Sequence, residues 1–181
     1  MRALLLTALI FFLNLSTLDL FAQCEEMDKN FSHERLGEPV LTGTPVLIPE
    51  VKLRVTSRTT SEIMPLQAVR LRYVWRHFVA PYRKYPNGGW NNAYDVILCK
   101  TDDDGVVRFP EYNLIPRGWY DGPKLGRNAP KFSDLQLSVE NYALWITQKQ
   151  VKQIRDKKIN KPIELKRPDG YVSPIKVEII P

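Results

Sequence analysis

The run Asp102-Asp103-Asp104 gathers carboxylates more tightly than any other stretch of the 181-residue chain. Hard cations favour clustered carboxylates, but consecutive strand or turn residues point in different directions, and the alternate spacing and distal Glu of a calcium loop are missing. Closed by Gly105, the run reads instead as a turn, because glycine accepts positive φ without a Cβ clash. Zinc hydrolysis needs His and carboxylate ligands around one ion, and the chain has two histidines, His33 and His77, with no H-E-x-x-H spacing. There is no G-x-S-x-G, and Cys99 has no evident His partner for nucleophilic work. The sequence therefore predicts no catalytic set, no metal and no cofactor. The enzymatic alternative is a small-substrate hydrolase using loop acids, Asp121 with Asp102 or Glu111.

Aromatic residues interleaved with amides make a stronger candidate site. Tyr82, Tyr85, Trp90, Asn91, Asn92 and Tyr94 follow one another in A-P-Y-R-K-Y-P-N-G-G-W-N-N-A-Y, and Trp119, Tyr120 and Asp121 lie in a second segment rich in Pro and Gly. Rings stack on apolar sugar or peptide faces while Asn and Asp hydrogen-bond beside them, so two long loops carrying these residues would form a recognition surface. The competing reading has the rings folding back to seal the ends of the domain.

The formal charge is +6, and the segment from Thr147 to Arg167 holds eight Lys or Arg against two acids. Arg70, Arg72 and Arg76, with Lys157 and Lys158, are the candidates for a basic face toward an anionic partner. The simpler account is a solvated face that keeps the protein soluble.

Met1 to Ala22 has one Arg, an apolar run from Ala3 to Leu13 and then a more polar stretch, the layout of a secretory signal peptide. Asn14 and Asp19 leave too short an apolar core for a comfortable membrane span, so membrane association is expected only as a peripheral contact. Export, to the periplasm or the medium, places Cys24 and Cys99 in an oxidising compartment where they can pair. Nucleic acid is not an expected partner, since no nucleic-acid-binding motif is present.

The elements that must position these residues read as strands. Residues 23–45 show no sustained period and read as an irregular lead-in. From Val51 apolar and polar residues alternate, with Val51, Leu53 and Val55 on one face. The longest alternation puts Val69, Leu71, Tyr73, Trp75 and His77 on one face and Arg70, Arg72, Val74, Arg76 and Phe78 on the other. Val96 to Tyr112 reads as a hairpin closed by Asp104-Gly105. Leu135 to Ile146 reads as one strand, a brief helical turn follows around Val151 and Ile154, and Pro162 to Leu165 and Ser173 to Ile180 supply the last two strands. The pattern predicts an all-β, seven-stranded, Ig-like sandwich over residues 46–181, with two long inserted loops.

Ala68-Val69-Arg70-Leu71, Thr101-Asp102-Asp103-Asp104-Gly105 running into Val107-Arg108-Phe109-Pro110, and Leu135 to Val139 closing on Asn141-Tyr142 together resemble the carboxypeptidase regulatory-like, transthyretin-like sandwich domains. That family's pattern has Gly-Ala where this chain has Gln67-Ala68, and Gly-Tyr where it has Asn141-Tyr142. The resemblance implies a non-catalytic companion domain. Residues and resemblance together lead to the expectation of an exported binding or structural module that recognises an envelope or extracellular protein or glycan. An accessory subunit of an envelope enzyme is a further alternative.

Overall fold

Alternating apolar residues become strands because one face of each can be buried while the other stays in water. The computed structural model describes residues 24–29, 41–79, 89–118, 129–167 and 169–181. Its elements are β1 (Cys24–Lys29), β2 (Leu41–Thr42), β3 (Val46–Ile48), β4 (Val51–Ser57), β5 (Ala68–Val79), β6 (Gly89–Lys100), β7 (Val106–Phe109), β8 (Tyr112–Leu114), β9 (Arg117–Gly118), β10 (Lys131–Val139), β11 (Tyr142–Ile146), α1 (Gln148–Arg155), β12 (Ile163–Glu164) and β13 (Ile175–Ile179). Five strands form one sheet in the order β1-β6-β5-β10-β11, and four form a second, β12-β13-β4-β7. Two short pairs, β2 with β9 and β3 with β8, complete the set. Every pairing between these strands is antiparallel.

The two large sheets share one core. Leu71 and Tyr73 from β5 and Leu137 from β10 belong to the same buried cluster as Leu53 from β4 and Val177 and Ile179 from β13. Each fully buried side chain of this size stabilises by roughly 1.5–3 kcal/mol. This is the expected all-β sandwich with a larger strand count than seven. The additional strands come from short segments such as β8 and β9, from the division of Leu135 to Ile146 into β10 and β11, and from β1 and β2, which fall in the stretch read as an irregular lead-in.

Two sequence readings change. Val96 to Tyr112 is not a hairpin within one sheet: β6 belongs to the five-stranded sheet and β7 to the four-stranded one, so residues 101–105 carry the chain between layers. The turn itself is as read. Gly105 has φ +67°, Asp102 Oδ1 accepts from the N–H groups of Asp104 (3.0 Å) and Val106 (2.8 Å), and Gly105 N–H donates to the Asp102 carbonyl at 3.0 Å. All three carboxylates are therefore turn residues, and Asp102 is occupied by its own backbone. Beside it, the buried Thr101 hydroxyl donates to the Met64 carbonyl at 2.6 Å and accepts from Gln67 N–H at 2.8 Å, latching the 58–67 loop to this crossing.

Leu135 to Ile146 is likewise two strands. β10 and β11 pair from Val139↔Tyr142 outward around Glu140-Asn141, with Glu140 at φ +50°. Without glycine the turn gives no strong sequence signal, since only Asn, Asp and Gly enter this region readily. The helical turn is α1, where Thr147 and Gln150 cap each other's backbone and Val151 anchors the helix in the core.

A disulfide joins Cys24 to Cys99, directly opposite in the β1–β6 ladder with Cα atoms 4.1 Å apart and a sequence separation of 75. It fastens the edge strand of the larger sheet, and both sulfurs lie within 4 Å of the Arg108 carbonyl of β7, at the edge of the other sheet. Among the described residues no helix is long and apolar enough to cross a membrane. Residues 1–22, read as the export signal, lie outside the described residues, as do Tyr82, Tyr85, Trp119, Tyr120 and Asp121.

Candidate functional site

Trp90, Asn91 and Tyr94 do not belong to a loop. The W-N-N-A-Y-D segment is strand, paired residue for residue with β5 from Phe78↔Trp90 to Tyr73↔Asp95. The Gly-Pro-Asn content upstream masks this in sequence, but the long β5 ladder supplies partners for the Asn backbone groups and so extends the sheet. The period of two then separates the cluster. Trp90 and Tyr94 face outward from the sandwich, while Asn91 stands opposite the buried His77 on the inner side.

The outward face of the five-stranded sheet therefore combines two predicted groups that the sequence reading kept apart. Arg70, Arg72 and Arg76 of β5 alternate with Val74 on this face, beside Trp90, Tyr94 and Val96 of β6. The Arg72 guanidinium lies 5.2 Å from the centre of the Tyr94 ring, and that of Arg76 lies 5.8 Å from the Trp90 ring. Phe78 meets Trp90 edge-on at 5.8 Å. Val74 and Val96 are buried at the floor of the face, whereas Trp90 remains 39% exposed. Across the sheet, Arg72 opposes Gln136 of β10, which opposes Trp145 of β11, 41% exposed. By strand and sheet spacing, Trp90 and Trp145 mark the ends of a diagonal about 25 Å long that crosses β5 near Arg76 and β10 near Asp134.

This face differs electrostatically from the rest of the molecule. The ion pairs among the described residues, Arg58–Glu164, Arg117–Asp95, Lys158–Asp156, Arg167–Asp169 and Lys176–Glu178, all lie off it. Lys100 and Lys131 add to the three arginines, and the described carboxylates in register with them are Asp134, opposite Val74, and Glu25, opposite Leu98 in the row of Arg70. Stacking on a ring occupies the plane of a guanidinium and leaves its in-plane N–H donors for other groups. Arg72 Nε is buried without a hydrogen-bond partner among the described residues.

The structure does not bring Lys157 and Lys158 to this face. They follow α1, and Lys157 lines a cleft of about 370 Å³ with Glu50, Lys52, Ile154 and Pro181, beside the four-stranded sheet. The basic residues thus divide between two regions of the surface.

Sequence reasoning missed a buried polar network on the inner side of the same sheet. Asp95, on β6, accepts from Arg117 Nη2 and from Tyr112 Oη, each at 2.8 Å. The Arg117 carbonyl takes the Trp75 indole N–H at 2.7 Å, and its guanidinium lies 5.4 Å from the Trp75 ring centre. Tyr73 and Tyr112 stack at 4.5 Å, and burial pushes the Tyr73 phenol far above its usual range. A Cβ on Gly118 would come within 2.9 Å of His77 Cβ, so β9 rests directly on the end of β5. Burial also pushes the His77 pKa below its ordinary value, against a hydrogen bond with the Phe78 backbone that raises it. Both carboxylate oxygens of Asp95 are satisfied, which offsets the cost of burying the charge. The network ties the middle of β5 and β6 to β8 and β9. The available signal was an Asp at an inward position of a strand, a residue type that is rarely buried unless paired.

Among the described residues no group of three or more His, Cys, Asp or Glu side chains is placed to hold a metal ion. A cleft of about 460 Å³ lies between β12 and the 170–173 segment, where Arg58 bridges Glu164 (2.6 Å) and the Ser173 carbonyl (2.8 Å). That hydrogen bond with Arg58 holds the Glu164 carboxyl below the usual carboxylate range. Comparison of the chain with family models, with curated proteins and with solved structures finds no match in any of the three.

Proposed function

We propose that this protein is an exported, non-catalytic binding module, periplasmic or secreted, that recognises an envelope or extracellular protein or glycan through the outward face of its five-stranded sheet. The observation that carries this reading is the set Arg70, Arg72 and Arg76: three cations on one face without carboxylate partners among the described residues, two of them stacked on Tyr94 and Trp90. Arg58, Arg117 and Arg167 each meet a carboxylate at 2.6–2.8 Å, whereas these three arginines do not. Leaving them open favours an external anion.

The Cys24–Cys99 disulfide supports export, because such bonds persist in oxidising compartments. The resemblance to carboxypeptidase regulatory-like, transthyretin-like domains points the same way, toward a companion domain that binds. The test is in-cell cross-linking of the tagged protein beside its Arg72→Gln/Arg76→Gln variant, with protein and glycan in the eluate identified. A discrete partner retained by the wild type and lost by the variant is the expected result. A partner held equally by both would move the binding site elsewhere.

A further inference from the structure

We infer that the occupant of this sheet face is an acidic polysaccharide, a chain carrying carboxylate or sulfate groups, an inference that rests on the binding role proposed above. Three features select the chemistry. The first is charge: Arg70, Arg72, Arg76, Lys100 and Lys131 face outward, and the described carboxylates in register with these five cations are two, Asp134 and Glu25, so the occupant is anionic.

The second is shape. Arg70 and Arg76 are separated by about 20 Å along one strand, so the cations are spread along the face rather than gathered at one point. An extended polymer with anions repeated along its length can engage several of these cations together, whereas a small anion meets one.

The third is the pair of half-exposed indoles, Trp90 and Trp145, on the same face as the arginines and about 25 Å apart by strand and sheet spacing. Sugar rings present C–H faces that pack on indole while their substituents stay in water, and an acidic peptide has no equivalent repeating apolar face. Arginine suits the remaining task, because its planar fork matches carboxylate and sulfate geometry and its stacking on Tyr94 and Trp90 limits the rotamer freedom lost on binding.

The experiment measures binding of the full chain to polygalacturonate and to dextran sulfate, with fully methyl-esterified polygalacturonate, polyglutamate and anionic lipid vesicles as controls. The expected result is binding to at least one acidic polysaccharide that weakens as salt is raised, and at most weak binding to the uncharged ester and the vesicles. Arg72→Gln/Arg76→Gln should lower that affinity by about tenfold or more, as loss of charge-assisted contacts does. Trp145→Ala should lower it by about threefold to tenfold without changing the salt dependence, and should leave any polyglutamate binding unchanged. Thermal unfolding of each variant within a few degrees of the wild type confirms that surface contacts, not folding, are being read.

Equal affinity for polyglutamate and the polysaccharides, indifferent to Trp145→Ala, would assign the face to an acidic protein and overturn the inference while leaving the binding role in place. Preference for vesicles would do the same in favour of a lipid surface. If no polysaccharide binds but cross-linking still captures an arginine-dependent partner, the inference falls and the binding module stands. If cross-linking also fails to depend on Arg72 and Arg76, both fall.

Discussion

Reducing the Cys24–Cys99 disulfide should cost this protein a large share of its stability. The bond closes a loop with a sequence separation of 75 residues, and the loss of denatured-chain entropy for a loop of that size corresponds to about 4.5 kcal/mol at 25 °C. The native geometry needs little adjustment when the bond opens, because the two residues are already direct partners in the β1–β6 ladder. Cys99 is fully buried and remains a small apolar residue as a thiol. The effect therefore resides in the unfolded state. For a chain of this length the midpoint of thermal unfolding should fall by about 9–18 °C. Guanidinium unfolding of oxidised and reduced protein, with Cys24→Ser as a control, measures both the midpoint and the m value. The m value should rise on reduction, as an unlinked denatured chain exposes more surface. A loss below about 1 kcal/mol with unchanged m would refute the reasoning. If proteolysis then cut near residues 25–29 at an unchanged global midpoint, the bridge would be a local tether of β1.

Removing the charge of Asp95 while keeping its shape, by Asp95→Asn, should destabilise by about 2–4 kcal/mol in chemical unfolding, slightly under the usual cost of breaking a buried pair because the Arg117 side chain is 21% exposed. A value near zero would mean that Arg117 re-solvates freely. Tyr112→Phe, which removes one of the two donors at 2.8 Å, should cost about 1–2 kcal/mol and couple to Asp95→Asn in a double-mutant cycle. Gly105→Ala must accept φ +67° and place a Cβ 2.8 Å from the Val55 carbonyl oxygen, so a loss of at least about 2 kcal/mol is expected; a neutral substitution would show that the crossing between sheets can shift. The lowered His77 pKa means that the unfolded chain takes up the proton first as pH falls below about 6.5, so stability contributed by neutral His77 is present above that value and lost through the folded one. Between neutral pH and about pH 5 the unfolding midpoint of the wild type should therefore fall further than that of His77→Gln, and equal falls would show that this titration is absent.

How much of this was legible in the sequence differs from element to element. The two faces of β4 and β5 could be read directly, since a period of two needs no tertiary information. Val51, Leu53 and Val55, and Val69 through His77, are buried as their alternation requires. The Asp102–Gly105 turn was equally legible, because its hydrogen bonds and positive φ are local. Which strands that turn connects was not legible. A turn fixes a change of direction, whereas sheet membership depends on which apolar faces meet, and β6 and β7 part into different layers after the same residues that would close a hairpin. The Trp90 to Tyr94 segment was misread for a related reason. Its Asn and Gly content is a loop signal, and only pairing with the twelve-residue β5 makes it strand.

The sequence by itself determined the residue inventory: two cysteines able to pair, few groups for catalysis, a surplus of cations and a group of aromatics. Only the tertiary structure decided which of these become neighbours. Arg72 meets Tyr94, and Arg76 meets Trp90, through cross-strand register, although the pairs lie 22 and 14 positions apart in the chain. Lys157 and Lys158 are carried to a different region by α1, and Asp95 finds Arg117 and Tyr112 inside the sandwich. The physical reason is that alternation specifies a face but not its partner. The partner is set by the register in which long strands bury their apolar stripes, and that free energy is summed over the whole sheet.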